Sequence, residues 1–327
     1  MKKALVIGID DYLTSPLIGC VNDASAVANT LERNGDGSPN FSVKLLTSNV
    51  TTASLYDAIP KLFEGDADTA VLYFSGHGLI NPSTNAGYIV SRDAKKGAWG
   101  MALSEILNLA NNAYPHIKST VIILDCCHAG YAGEVSGMGN DARISVIGSG
   151  VTILTACHRD ALAKAGDPHS LFTGILLDGL SGSASDVCGR ITPAALYSLI
   201  DQTLGEWEQR PIYKANVQTF VTLRAVNPKI PLDILRRLPE YFPEQSYLFP
   251  LNPSFEPDRE NIPKELRHLP IDEKNTKIFK ELQMCNRHGL VVPVDADHMY
   301  YAAIESKACK LTALGAHYRQ LAELKRI

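Results

Sequence analysis

The sequence predicts an α/β protein built on a mostly parallel sheet flanked by helices, followed by a small second domain. Three observations carry that expectation. Short, nearly continuous apolar runs alternate with segments of helical spacing through the first two thirds of the chain, the pattern of a parallel sheet covered by helices on both faces. Nine of the eighteen prolines fall within residues 224–270, which disfavours long helices and central strands there. Helical periodicity then returns in residues 271–327.

Taken in order, 4–9 (ALVIGI), 42–47 (SVKLLT), 69–75 (TAVLYFS), 119–125 (STVIILD) and 151–156 (VTILTA) read as strands. Between them, 22–33, 52–64 and 102–112 have apolar residues at helical spacing and Asn, Thr or Ser near their starts. The side-chain oxygen of such a residue can accept from the free N–H groups of a first helical turn. Two more helices are expected over about 170–181 and 192–206, then a last strand over 216–223 (NVQTFVTL). Residues 1–223 therefore read as one α/β domain, 224–270 as a Pro-rich linker or arm, and 271–327 as a small helical domain.

Composition excludes several classes. With 45% apolar and 20% charged residues, the 327-residue chain can bury an ordinary core, which excludes disordered and fibrous proteins. Its 31 Lys and Arg against 35 Asp and Glu give a net charge of −4, too balanced for a dedicated polyanion binder. The seven cysteines are scattered and odd in number, which argues against a disulfide framework and for a reducing, cytoplasmic setting. The opening MKKALVIGIDDY reads as a strand and not a signal peptide, because Asp10 and Asp11 interrupt the apolar run. No stretch approaches ~18 uninterrupted apolar residues, so no membrane span is expected.

Chemistry in open α/β sheets gathers outside the carboxyl ends of the strands, and three polar clusters sit there. One strand runs into Ser75-Gly76-His77-Gly78, another into Asp125-Cys126-Cys127-His128-Ala129-Gly130, and the first leads through Cys20-Val21-Asn22-Asp23 into a helix. Such residues suit acyl transfer to a thiol: a thiolate attacks a carbonyl, a histidine protonates the departing amine, and backbone N–H groups hold the oxyanion. Strand alternation separates the adjacent cysteines, placing Cys127 on the side of Asp125 and Cys126 in the packing.

YFSGHG (73–78) and LDCCHAG (124–130), with Asn22-Asp23 upstream, resemble the caspase-fold cysteine peptidases, and their metacaspase-like prokaryotic branch more closely than animal caspases. The resemblance covers about residues 1–223 and implies a caspase-like sheet. It implies His77 and Cys127 as the catalytic dyad, with the N–H groups of Gly78 and Cys127 as the oxyanion hole. It also implies that Asp23, Ser75 and Asp125 line an acidic pocket for the residue before the cut, which would be Arg or, secondarily, Lys. Elementary electrostatics agrees: two carboxylates sharing a cavity without a basic neighbour in sequence are costly unless a cation enters, and the planar guanidinium fits such a pair best.

Other expectations follow from departures and alternatives. Metacaspases often carry a calcium-binding acidic run after the histidine, whereas residues 79–100 hold only Asp93 as an acid, so no calcium dependence and no cofactor are expected. Soft and imidazole ligands at Cys126, Cys127, His128, Cys157 and His158 raise zinc, but no CxxC or HxxxH spacing supports a metal site. The Gly- and Ser-rich segment 134–150 resembles the family's processing loop, with Arg143, its one basic residue, as the candidate cut. Residues around Arg159, Asp160 and 167–173 could border the substrate groove.

Residues 271–327 resemble a winged-helix module such as is appended to some bacterial caspase-like proteins. They hold nine Lys and Arg against seven acids, a small excess that favours protein docking or regulation over nucleic acid. The resemblance as a whole implies a latent protease in bacterial stress or antiviral defence. Two readings from other classes stay open at this stage: a catalytically silent caspase-fold adaptor, and a transcriptional regulator acting through residues 271–327.

Overall fold

The computed structural model describes residues 1–81, 83–126, 134–136, 143–145, 147–156, 168–204, 210–258 and 262–327. Two compact units form, one from Met1–Ser185 with Arg190–Val226, the other from Asp186–Gly189 with Asn227–Ile327.

In chain order the first unit runs β1 (Lys2–Gly8), α1 (Cys20–Glu32), β2 (Ser42–Leu46), α2 (Thr52–Leu62), β3 (Ala67–Ser75), β4 (Gly78–Ile80), β5 (Gly87–Lys95), β6 (Ala98–Ala102) and α3 (Leu103–Ala113). It continues with β7 (Ile117–Asp125), β8 (Glu134–Ser136), β9 (Arg143–Ser145), β10 (Val151–Thr155), α4 (Leu171–Asp178), β11 (Arg190–Ile191), α5 (Pro193–Thr203), β12 (Ile212–Asn216) and β13 (Arg224–Ala225). The main sheet has the order β12-β10-β7-β3-β1-β2 and is parallel except for β12, which pairs antiparallel with β10.

Period-two alternation explains why the central strands read as continuous apolar runs. Leu5, Ile7, Leu72, Phe74, Ile122 and Leu124 pack into one core with Leu55 and Ile59 of α2 and Ile106 and Leu107 of α3. Their neighbours Val6, Val71, Tyr73, Val121 and Ile123 pack into a second core with Val27 of α1, Leu176 of α4 and Leu196 of α5. Both sets are removed from water because both faces carry helices.

Caps fix where the helices begin. Thr51 and Ser54 form a reciprocal capping box on α2, and Thr192 accepts from the Ala195 N–H ahead of Pro193 at the start of α5. At α1 the cap is remote in sequence. The Asp10 carboxylate accepts from the N–H groups of Cys20 (2.8 Å) and Val21 (3.3 Å), placing a negative charge at the positive end of the helix. Gly8 permits the close approach this needs, since a Cβ there would lie 2.3 Å from the Cys20 carbonyl oxygen and 2.7 Å from the Ala24 Cβ.

The first unit departs from the sequence expectations in three places. Gly78–Ile80, Gly87–Lys95 and Ala98–Ala102, where no strand was expected, form the antiparallel sheet β4-β5-β6. The last strand lies at Ile212–Asn216 and not at 216–223. As an edge strand it needs only one paired side, while Val221 and Leu223 of the expected strand are buried in the second core without joining the main sheet. Segment 134–150 also contains the β8-β9 pair, in which Ser136 faces Arg143 across the register.

The second unit corrects the reading of 224–270 as a linker or arm. It contains α6 (Leu232–Tyr241), β14 (Phe249–Pro250), α7 (Glu273–Arg287), β15 (Val291–Val294), α8 (Met299–Ile304), β16 (Ala308–Leu311) and α9 (Ala313–Glu323), with an antiparallel sheet β14-β16-β15. Leu235, Leu238, Phe242, Leu251 and Phe255 share one core with Phe279, Leu282, Leu290 and Ala302. The proline count obscured a helical spacing of apolar residues at 234, 235, 238 and 241. A buried carboxylate ties the segment down: Glu281 accepts two bonds from Arg237, at 2.9 and 2.8 Å, and one from the Tyr241 hydroxyl at 2.6 Å, so its charge is paired and hydrogen-bonded. Among the described residues, no helix is long and apolar enough to cross a membrane.

Candidate active site

The parallel register brings the sequence clusters to one edge. Gly8 pairs with Ser75, and Ser75 with Asp125, at the carboxyl ends of β1, β3 and β7. The pairing extends one step further, the Gly76 N–H donating to the Asp125 carbonyl at 3.3 Å. His77 and Cys127 each follow by two residues the register-paired Ser75 and Asp125. Cys127 itself lies outside the described residues, as do His128, Cys157, His158, Arg159, Asp160 and Asp167. Cys126 is buried in the first core.

His77 is held from several directions. Its N–H donates to the Tyr12 hydroxyl at 2.8 Å, its carbonyl accepts from the Val90 N–H at 3.0 Å, and its ring packs against that of Tyr12 at 4.5 Å between centroids. Nε2 lies 2.8 Å from the Ser15 carbonyl oxygen. A carbonyl can only accept, so Nε2 carries the proton and, in the neutral ring, Nδ1 is the bare nitrogen able to exchange one with a thiol. Gly78 follows directly and opens β4.

Gly76 makes this arrangement possible. A Cβ at that position would lie 2.4 Å from the Tyr12 hydroxyl oxygen. Tyr12, 6% exposed, sits beneath the histidine and also donates to the Val90 carbonyl at 3.3 Å. Tyr12→Phe is expected to lower turnover about fivefold and stability by about 1 kcal/mol through the lost bonds. Steady-state kinetics and a melting curve check it; unchanged turnover would mean that Ser15 alone orients His77.

Beside the histidine lies a pair of buried carboxylates. Asp23, in the first turn of α1, and Asp125, at the end of β7, are 1% and 4% exposed. Asp23 accepts from the Ser75 hydroxyl at 3.4 Å and from the Ser170 N–H at 3.3 and 3.4 Å, and its Oδ1 lies 2.8 Å from Nδ1 of His169. Asp125 accepts from the Ser170 hydroxyl and, at 2.6 Å, from the Thr173 hydroxyl. Burial is the main cause that pushes both acids up, Asp125 to about 6, and the charge of Asp23 adds to the shift of Asp125.

Cys20 stands against the same group. Burial, reinforced by Asp10, Asp125 and Asp23, pushes its thiol up to about 12, leaving it protonated and a poor nucleophile at neutral pH.

The structure thus brings together Asp23, Ser75 and Asp125 and sets His77 and Gly78 beside them. Arg143 lies in β9, away in sequence from the site elements. The basic neighbour that the sequence lacked next to Asp23 is supplied by His169. Tyr12 and Ser15 carry no sequence signal of their role, because the loop after β1 reaches His77 only in three dimensions. Ser170 carried a signal as the cap of an apolar helix, and it accepts from the Thr173 N–H at 3.0 Å in that role.

The profile of the caspase domain, peptidase C14, matches residues 1–220. The chain belongs to the caspase-domain family. Two solved structures share the caspase-domain fold. One is the protein GSU0716 from Geobacter sulfurreducens, at 18% identity and a TM-score of 0.51, covering 69% of this chain and 97% of that one. The other is Caspase-1 from Spodoptera frugiperda, at 12% identity and a TM-score of 0.50, covering 69% of this chain and 90% of that one. No curated protein matches the chain. Family membership supports a caspase-like cysteine peptidase, a hydrolase acting on protein substrates.

Proposed function

We propose that this caspase-domain protein is a cysteine endopeptidase that cuts after Arg and, secondarily, Lys. The observation that carries the specificity is the pair of buried carboxylates at Asp23 and Asp125, both pushed up by burial, on the strand edge that bears His77. A guanidinium entering this recess relieves two unfavourable buried charges at once, whereas an Asp side chain adds a third.

In this reading Cys127 attacks the carbonyl, its sulfur bonding to carbon while the N–H groups of Gly78 and Cys127 hold the oxyanion. His77 has taken the thiol proton and gives it to the leaving amine as the C–N bond breaks. Water, deprotonated by His77, then opens the thioester and regenerates the thiol. Ser75 lines the recess with its hydroxyl on Asp23.

The chain is read as a metacaspase-like prokaryotic protease, latent until a signal activates it, with Arg143 as the candidate processing cut, working without calcium in cytoplasmic stress or antiviral defence. The second unit, which contains residues 271–327, is read as a winged-helix-like docking unit for a protein regulator. The test is turnover of fluorogenic peptides ending in Arg or in Asp by the full chain, with Cys127→Ala as control and a mass map of the active preparation. Arg-dependent turnover that vanishes in the variant is expected, with 134–150 cut after Arg143. Asp preference would sink the pocket assignment, and an uncut segment in active enzyme would remove Arg143.

A further inference from the structure

The donors that satisfy the two carboxylates come almost entirely from one short segment. Ser75 apart, every polar contact described above to the side-chain carboxylates of Asp23 and Asp125 is made by His169, Ser170 or Thr173. Ser170 bridges the pair, its N–H to Asp23 and its hydroxyl to Asp125. The neutral hydroxyl and amide donors can stay in place when a cation arrives, as they do not compete with it for charge. His169 is different. Its Nδ1, 2.8 Å from Oδ1 of Asp23, holds an oxygen that a guanidinium pairing two-pronged with this carboxylate would need.

The surroundings of His169 fit this role. The Asn22 amide donates to the Pro168 carbonyl at 2.6 Å, anchoring the backbone just before the ring. The same amide lies 3.3 Å from Nδ1. Nδ1 cannot both accept from the amide and donate to Asp23, and the shorter 2.8 Å contact to the carboxylate places the proton on Nδ1. The His169 side chain is 23% exposed while that of Asp23 is 2% exposed, so the ring reaches solvent where the carboxylate it bonds does not.

We propose that His169 is a self-supplied occupant of the acidic recess, satisfying Asp23 while the site is empty and yielding to the basic side chain of the substrate. It is thereby a specificity-determining residue: each substrate must displace the imidazole, so only a side chain that bonds Asp23 better than His169 does is held. This rests on the reading of the recess as the site for Arg.

Agmatine, a guanidinium without a carboxylate, is the probe, titrated by calorimetry into the full chain carrying Cys127→Ala. His169→Ala leaves Asp23 short of a donor and is expected to tighten agmatine binding about tenfold. His169→Gln, whose amide can still donate, is expected to bind within about threefold of the parent and guards against a folding defect in the alanine variant. In catalytically intact chains the gain from His169→Ala falls on KM for an Arg-terminated peptide. Weaker agmatine binding in His169→Ala, with binding abolished by Asp23→Asn, would make His169 part of the binding wall and overturn the proposal alone. Agmatine binding that ignores both substitutions would overturn it together with the assignment of the recess.

Discussion

Replacing His77 with Ala is expected to lower kcat for an Arg-terminated peptide by about 10²- to 10⁴-fold, the range for loss of a positioned general acid and base. The expectation is specific because His77 is held at one ring nitrogen and along its backbone. Nε2 is spent on the Ser15 carbonyl, so the ring has one nitrogen left for chemistry. The backbone of the same residue is fixed by Tyr12 and Val90. The side chain is only part-buried and belongs to neither core of the first unit, so melting should shift little. A variant that melts with the parent and retains its turnover would remove His77 from the mechanism.

Neutralising Asp125 should separate activity from stability. Asp125→Asn is expected to reduce kcat/KM for the Arg peptide by about 10²- to 10³-fold, as expected when one partner of a desolvated charge pair is removed. At pH 7.5 the same substitution should stabilise the fold. The sign follows from linkage: the folded carboxyl is held at about 6 against an ordinary 3.8, so the native state binds its proton more tightly than the unfolded chain. That contribution is fully present below pH 3.8 and is lost as pH rises through 6, an effect of about 3 kcal/mol for a fully buried group. An amide of the same shape escapes it, less whatever its altered bonds to Ser170 and Thr173 cost.

The same shift sets a pH dependence for substrate binding. A guanidinium prefers the ionised acid, so KM for the Arg peptide should rise up to about tenfold per unit as pH falls below 6. KM profiles and urea melts at pH 5 and 7.5 check both halves. Lower stability of Asp125→Asn at pH 7.5 with undiminished activity would place the carboxyl outside the recess chemistry. In the proposed reading, the arrangement costs stability to hold charge where a cation binds, the usual trade at a functional site.

How far these features were legible varies with their reach along the chain. The strands ending at Ser75 and Asp125 could be read because continuous apolar runs and the polar residues that stop them are adjacent in sequence. The helix after Ser170 could be read because a cap and an apolar stripe are equally local. Helix α6 was hidden by Pro231 and Pro239, although Leu235 and Leu238 are fully buried. Its stability comes from packing against α9 and from the Glu281 pairing, 44 residues away from Arg237, and proline counts are blind to such partners.

The sequence by itself determined the parallel sheet and the strand ends at Ser75 and Asp125, since periodicity of two and the residues that end a strand are local signals. Only the tertiary structure decided what those groups face. It set the Ser15 carbonyl on His77 across 62 residues and His169 on Asp23 across 146. Parallel strands pair only after a crossover returns the chain, so the groups that share an edge are far apart in sequence and their contacts follow from register and loop path.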